Sequence, residues 1–429
     1  MTRPPLSLLI AVAVLATCSC LVPDPAPVRL RPASRATPVA DATHGAPYAP
    51  VPPPAPTAPP RRALPPIQGE PEIRLLVAQG ERLEVRLLRP ALAIGSPEVR
   101  ASAIVATASG DTVVVDGTSA TDPRYEFAPG GANFQLGGRK FGGTLVLVSR
   151  GNIVHALEVL PLERYLEGVL AREVAADWPA ASLEAQAIAA RSYAVAQWMR
   201  RFDEPWHLAA NEVADMAYAG RVDRPDPRYT AAIEATRGQV LMFAGQPLPA
   251  YFHACSGGYT EDHAAVWPER RCPDGVTDPG PAMPAAPDPF ALAGTAVAPA
   301  RLGAWSTSIS VDELADKLGA AGTAVGTITQ VRIASRSGQR ARTVRIEHSG
   351  GTTELGAHAL RMAIGPRQVK STLWTRCDLG PSGLAIEGRG FGHGVGLSQA
   401  SAWAMARDGH DAGAILDAFY PGASRSRMW

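Results

Sequence analysis

The sequence predicts an α+β fold: a mixed, barrel-like β-sheet core with a helical segment carrying the candidate site, preceded by a disordered proline-rich tether. Three observations predict it. Residues 72–160 hold short apolar or β-branched runs separated by Gly, Pro, Asp and Asn, and further runs return after Arg237 without βαβ alternation. The stretch from Pro161 to Arg200 switches to a helical period. Finally, 15 of the 40 prolines fall within residues 23–66, a composition that favours an extended, semi-rigid chain without a core.

Four segments follow: 1–20, an export signal; 21–71, the linker; 72–160, a β-rich part; and 161–429, the region holding the chemistry. Arg3 precedes an apolar run, Leu6 to Ala16, of 11 residues. That is signal-peptide length, short of the ~20 residues a bilayer span needs. Leu15-Ala16-Thr17-Cys18 resembles a bacterial lipobox, with Cys18 as the acylated residue and Thr17 where Gly or Ala is usual. The alternatives are Cys20, simple secretion, or a buried N-terminal helix. A lipid-anchored protein with such a tether works in the cell envelope, away from the membrane that holds it.

The strands of the β-rich part are Ile73–Val77, Leu83–Leu88, Val99–Ala106, Thr112–Val115, Thr144–Val148 and Ile153–Leu160, with Gly-Gly pairs at 130, 137 and 142 marking turns. The first helix starts at Pro161. Leu162, Tyr165, Leu166, Val169 and Leu170 share one face, opposite Glu163, Arg164 and Glu167. Trp178-Pro179 breaks it. A second helix runs from about Ala180 to Arg200, with a narrow face of Leu183, Ala187, Ala190 and Ala194. Later strands are Gln239–Phe243, Leu248–His253, Gln330–Ala334, Thr343–His348 and Gly383–Gly388. Later helices are Asp312–Leu318, Ser398–Arg407 and Ala412–Phe419, and residues 273–300 read as a loop.

Lys and Arg total 41 against 40 for Asp and Glu. This balance argues against nucleic acid as a partner held by bulk charge. Export permits disulfides, and Cys255–Cys272 is the pair that would close a short loop. A metal reading of His253, Cys255, His263 and Cys272 fits no compact zinc spacing.

Three places carry candidate chemistry. At about 100° per residue, Glu173 falls on the apolar arc of the first helix, between Tyr165 and Leu170. A carboxyl group buried there would hold its proton more tightly, the state a general acid needs. The alternative is that the helix stops earlier and Glu173 is a solvated end residue. Second, a strand runs through His253 and Cys255 into Ser256-Gly257-Gly258. This is either an ordinary strand-turn or a place where ligand approaches backbone, and a Cys255 nucleophile with His253 as base is a third option. Third, five glycines surround His393 between Gly388 and Gly396, ahead of Leu397-Ser398-Gln399. No Lys or acidic partner makes this a phosphate loop.

These motifs together resemble the stage II sporulation protein D / amidase enhancer (LytB) family. Residues 161–195 look like its signature segment, His253–Glu261 like its His-Ser-x-x-Gly-Gly-x-Thr-Glu stretch, and Gly390–Ala400 with Phe419-Tyr420-Pro421-Gly422 like its closing segments. The resemblance runs from about residue 72 to 429. It implies a peptidoglycan lytic transglycosylase, cutting between N-acetylmuramic acid and N-acetylglucosamine on strands denuded of stem peptides and leaving 1,6-anhydro ends. The catalytic Glu of the family lies at Glu173. His253, Ser256, Gly257, Gly258, His393, Gly394 and Gln399 would line the same groove. Gln186 and Arg191 would orient the acid or bind the muramic lactyl carboxylate. The alternative is the enhancer role, in which the fold holds glycan or a cell-wall amidase and cuts nothing. Some members carry zinc in the segment matching Asp203–Tyr218. Here that segment has His207 but no Cys, so no metal or other cofactor is expected, and the membrane is met only through the N-terminal lipid.

Overall fold

The computed structural model describes residues 64–88, 93–94, 103–116, 118–119, 124–127, 133–211, 214–291 and 303–429. The expected export signal, Cys18, Cys20 and nearly all of the expected tether lie outside these residues.

Two six-stranded sheets form the first part. One runs in the order Leu208–Ala209, Glu72–Gly80, Ile153–Pro161, Thr144–Arg150, Arg124–Phe127, Ala93–Ile94, and only its first pairing is parallel. The other runs Thr118–Ser119, Thr112–Val115, Ala103–Ser109, Arg82–Leu87, Phe134–Leu136, Arg139–Phe141, antiparallel throughout. Alternate residues turn inward, Ile73, Leu75 and Val77 on one strand and Leu83, Val85 and Leu87 on the next, as a half-buried sheet requires. The α+β expectation holds; among the described residues the sheets stay open and no barrel closes.

The chain passes from the strand end at Pro161 directly into helix α1 (Leu162–Glu173). Pro161 has φ −57°, so the ring already holds the turn into the helix. Val174 is extended and stops it, and Pro179 precedes α2 (Ala180–Arg200). The expected narrow face of α2 is corrected: every residue from Ala185 to Met199 is buried. The helix is central, enclosed by α1, by α3 (Pro227–Ala235), by the strand Gln239–Phe243 and by the helices Gln399–Arg407 and Ala412–Phe419. Alanine at six of these positions lets neighbours approach closely. One apolar core runs from Ile73 in the sheets through α1 and α2 to Tyr420, so the β-rich part and the helices share it across position 160.

Residues 303–389 build a second, smaller core around Leu314, Val344, Leu360, Trp374 and Ile386. Its strands are Ala304–Ile309, Ile328–Ser337, Arg340–His348, Gly351–Gly356, Trp374–Gly380 and Gly383–Arg389, with helices Val311–Ala320 and Ala357–Ile364. The chain then returns to the first core. Phe252–His253 pairs in parallel with Leu397–Ser398, and Cys255 bridges to Phe391. The strand expected over 248–253 is reduced to this short pairing at its C-terminal end. Cys255, Cys272 and Cys377 are buried free thiols, which corrects the expected Cys255–Cys272 bridge.

Candidate active site

Glu173 is the last residue of α1, so the helix does reach it. It is half-buried rather than sealed among apolar side chains, because the helix end opens into a cleft. Its Oε1 accepts from the Ala217 backbone N–H at 3.0 Å, and its Oε2 accepts from Gln399 Nε2 at 3.3 Å. Gln399 opens the helix that follows Ser398, and its Nε2 also lies 3.5 Å from Oε1 of Gln186 on α2. Gln186 is buried and its Nε2 has no partner among the described residues.

The loop carrying Ala217 is fixed by Asp215. That carboxylate takes bonds from the Tyr193 hydroxyl at 2.8 Å, from Arg201 at 3.1 Å and from the Ala209 N–H at 2.8 Å. Gly168 admits the Tyr218 ring, where any Cβ would collide.

The cleft measures about 490 Å³. Glu173, Asp215, Tyr251, His253, Trp267, Arg270, His358, Arg361, Arg367, Phe391, His393 and Gln399 are among its lining residues. Its floor is aromatic: Tyr251 stacks on Trp267 at 4.3 Å, Trp267 lies 4.9 Å from His393, and His393 lies 5.4 Å from His253. Flat faces beside polar edges suit a sugar ring. Burial, helped by the Arg340 charge, pushes the His253 imidazole down to about 3. Burial, with His253, His358 and Arg361 nearby, holds His393 well below the usual histidine range. Both rings are therefore neutral near pH 7. Nδ1 of His253 donates to the Val395 carbonyl at 3.2 Å, whereas Nδ1 of His393 accepts from the Val395 N–H at 3.1 Å. The two rings thus hold opposite tautomers, and Nε2 of His253 is left as an acceptor without a partner among the described residues.

Of the residues singled out by sequence, Glu173, His253, His393 and Gln399 line this cleft, and Gln186 stands behind Gln399. The others do not line it. Arg191 is fully buried and pairs with Glu163 at 2.7 Å, also donating to the Ile233 carbonyl. Glu163, expected on the polar side of α1, is only 5% exposed. Ser256 is buried and donates to Asp288 at 2.6 Å, joining Ser401 on the same oxygen. Gly257 has φ +75° and packs on the Arg389–Gly390 backbone, and Gly258 N–H donates to Ser256 Oγ. Gly394 has φ +89° and makes room for the Arg340 guanidinium. These groups lock the two glycine motifs together. Cys255 is fully buried, outside the lining, and its thiol is pushed up to about 11 by burial, which removes the nucleophile reading. Among the described residues no three His, Cys, Asp or Glu side chains converge as a metal site.

Trp267, Arg270, His358, Arg361 and Arg367 escape sequence reasoning. The last three come from the smaller lobe, and no spacing links them to Glu173.

Residues 150–243 match the family described as Stage II sporulation protein. Residues 298–396 match a domain of unknown function, DUF8618. The chain is 27% identical over 293 residues to an uncharacterised protein of Brachyspira hyodysenteriae, covering 67% of this chain and 73% of the relative. It is 27% identical over 291 residues to the Stage II sporulation protein D of Bacillus amyloliquefaciens, covering 63% and 76%. It is also 27% identical over 290 residues to the Amidase enhancer of Bacillus subtilis, covering 60% of this chain and 40% of that relative.

Proposed function

On the premise that the chain belongs to the SpoIID/LytB family, we propose that it is an exported, lipid-anchored peptidoglycan lytic transglycosylase. The cell-wall role follows from the family; the cleavage reaction rests on the cleft. The observation that carries it is a single carboxyl group at the end of α1, held by Ala217 N–H and Gln399 over an aromatic floor.

In the proposed reaction, protonated Glu173 gives its proton to the glycosidic oxygen as the bond from that oxygen to muramic C1 breaks. The Glu173 carboxylate then takes the proton of the C6 hydroxyl while O6 bonds to C1. The carboxyl group ends protonated, the sugar ends as a 1,6-anhydro ring, and no water is consumed. Hydrolases that use water need a second carboxylate. The other carboxylate among the described lining residues, Asp215, is committed to Arg201, Tyr193 and Ala209. Gln399 suits a group that changes protonation: its amide N–H serves the carboxylate, and a half-turn presents its carbonyl oxygen to the acid. Mass spectrometry of products from denuded glycan strands tests this reading, since anhydro ends require it. The competing role, suggested by the amidase enhancer relative, predicts binding without release.

A further inference from the structure

Arg361 lines the same cleft, from the helix Ala357–Ile364 of the smaller lobe. It is 5% exposed. Among the described residues its Nε has no hydrogen-bond partner, and its Nη1 lies 3.5 Å from the Met362 sulfur. Two other buried arginines have every nitrogen hydrogen-bonded: Arg191 to the Glu163 carboxylate and Thr236, and Arg340 to the Tyr259 and Ser256 carbonyls and Thr372. A buried cation without a counter-charge is costly. Burial, with the Arg340 charge, lowers the Arg361 guanidinium to about 10, so it stays charged near pH 7. Arg270 adds positive charge to the same lining; of the carboxyl groups among its described residues, Asp215 is answered by Arg201 and Glu173 is held by Ala217 N–H and Gln399. The cleft therefore offers a prepared place for an anion beside an aromatic floor.

We infer that Arg361 determines specificity by binding the free lactyl carboxylate of a muramic acid residue, an inference that rests on the glycan-cleaving reading above. Removing a stem peptide converts an uncharged amide into a carboxylate. A guanidinium accommodates that carboxylate through paired N–H donors. An amide in its place leaves the buried cation unanswered, and a site built for a polar partner rejects the analogue that lacks it. Preference for denuded strands would then reside in the stretch that matches a domain of unknown function, residues 298–396.

The test is equilibrium binding of the full chain carrying Glu173→Gln. The two ligands are a denuded glycan tetrasaccharide and the same compound with its lactyl carboxylates converted to methylamides. The free carboxylate should bind at least about tenfold tighter. Arg361→Met should bring the two ligands to parity, and Arg361→Lys should restore part of the difference. If Arg361→Met does not fold, the two ligands compared on the protein that keeps Arg361 decide the matter. Equal affinity for both, or a preference that survives Arg361→Met, overturns the assignment and leaves the glycan reading standing. Binding of neither ligand overturns both.

Discussion

Gln399 donates its side-chain amide to Glu173 at 3.3 Å across 226 residues of chain. The same amide touches Gln186 of the central helix, so the carboxyl group is steered by a side chain that is itself held. Gln399→Leu should lower kcat about 10–100-fold, the scale of losing a positioning contact, with KM and melting temperature nearly unchanged. Unaltered kcat would remove Gln399 from the mechanism.

The Glu163–Arg191 pair is structural. Breaking a buried ion pair costs about 3–5 kcal/mol, because the remaining charge stays desolvated. Arg191→Met and Glu163→Gln should each lower stability by that order in urea titrations, and the double variant Glu163→Met/Arg191→Leu should recover much of it. Single variants as stable as the parent protein would show that the two charges are solvated in solution.

Acid should destabilise the fold through its histidines. Burial holds His207 and His253 down to about 3, and His263 and His358 to about 4. The unfolded chain takes up protons near 6.5, so this stability is complete above that value and is lost as pH falls towards the folded values. Each histidine contributes about 1.4 kcal/mol per pH unit in that window. Glu158 and Glu261, raised by burial, act in the opposite sense from the ordinary carboxylate range upward. The urea midpoint should therefore drop clearly between pH 7.5 and 5. A flat midpoint would contradict the buried neutral state.

Lipidation at Cys18 is tested by Cys18→Ala and by blocking the lipoprotein signal peptidase with globomycin. Both should change the protein's size and its membrane association. A response to globomycin but not to Cys18→Ala would move the acylation to Cys20, and no change in either would leave simple secretion.

The period of α1 leaves Glu173 open between a buried-face acid and a solvated helix end, and the family resemblance selects it; the helix does reach it, at a half-buried end beside Ala217 and Gln399. That periodicity also misplaces Glu163, because α1 is covered on a second side by α2 and α3, and a wheel of one helix cannot show what lies against it. The glycine motifs announced close approach but not its object: Gly257 and Gly394 make room for backbone and for Arg340 rather than for ligand. Trp267 and Arg361 carry no local pattern, because their position depends on how two cores meet at the cleft. The strands Ala304–Ile309, Gly351–Gly356 and Trp374–Gly380 are mixed polar-apolar segments whose pairing, not composition, makes them strands.

Cleavage of denuded glycan strands by the Glu173→Gln protein tests the central claim most directly. Gln keeps the shape and can accept from Ala217 N–H while its NH2 donates to a half-turned Gln399 carbonyl, but it has no proton of the right acidity to give. Positioned acid–base catalysis is worth ~10²–10⁴-fold, so the rate of anhydro-end formation, followed by mass spectrometry, should fall by at least about 100-fold while glycan binding persists. The parent protein should lose activity on the alkaline side as the acid form disappears. Anhydro ends released by Glu173→Gln at the parent rate would contradict the account, and a parent protein that binds denuded glycan and releases nothing would assign it the enhancer role instead.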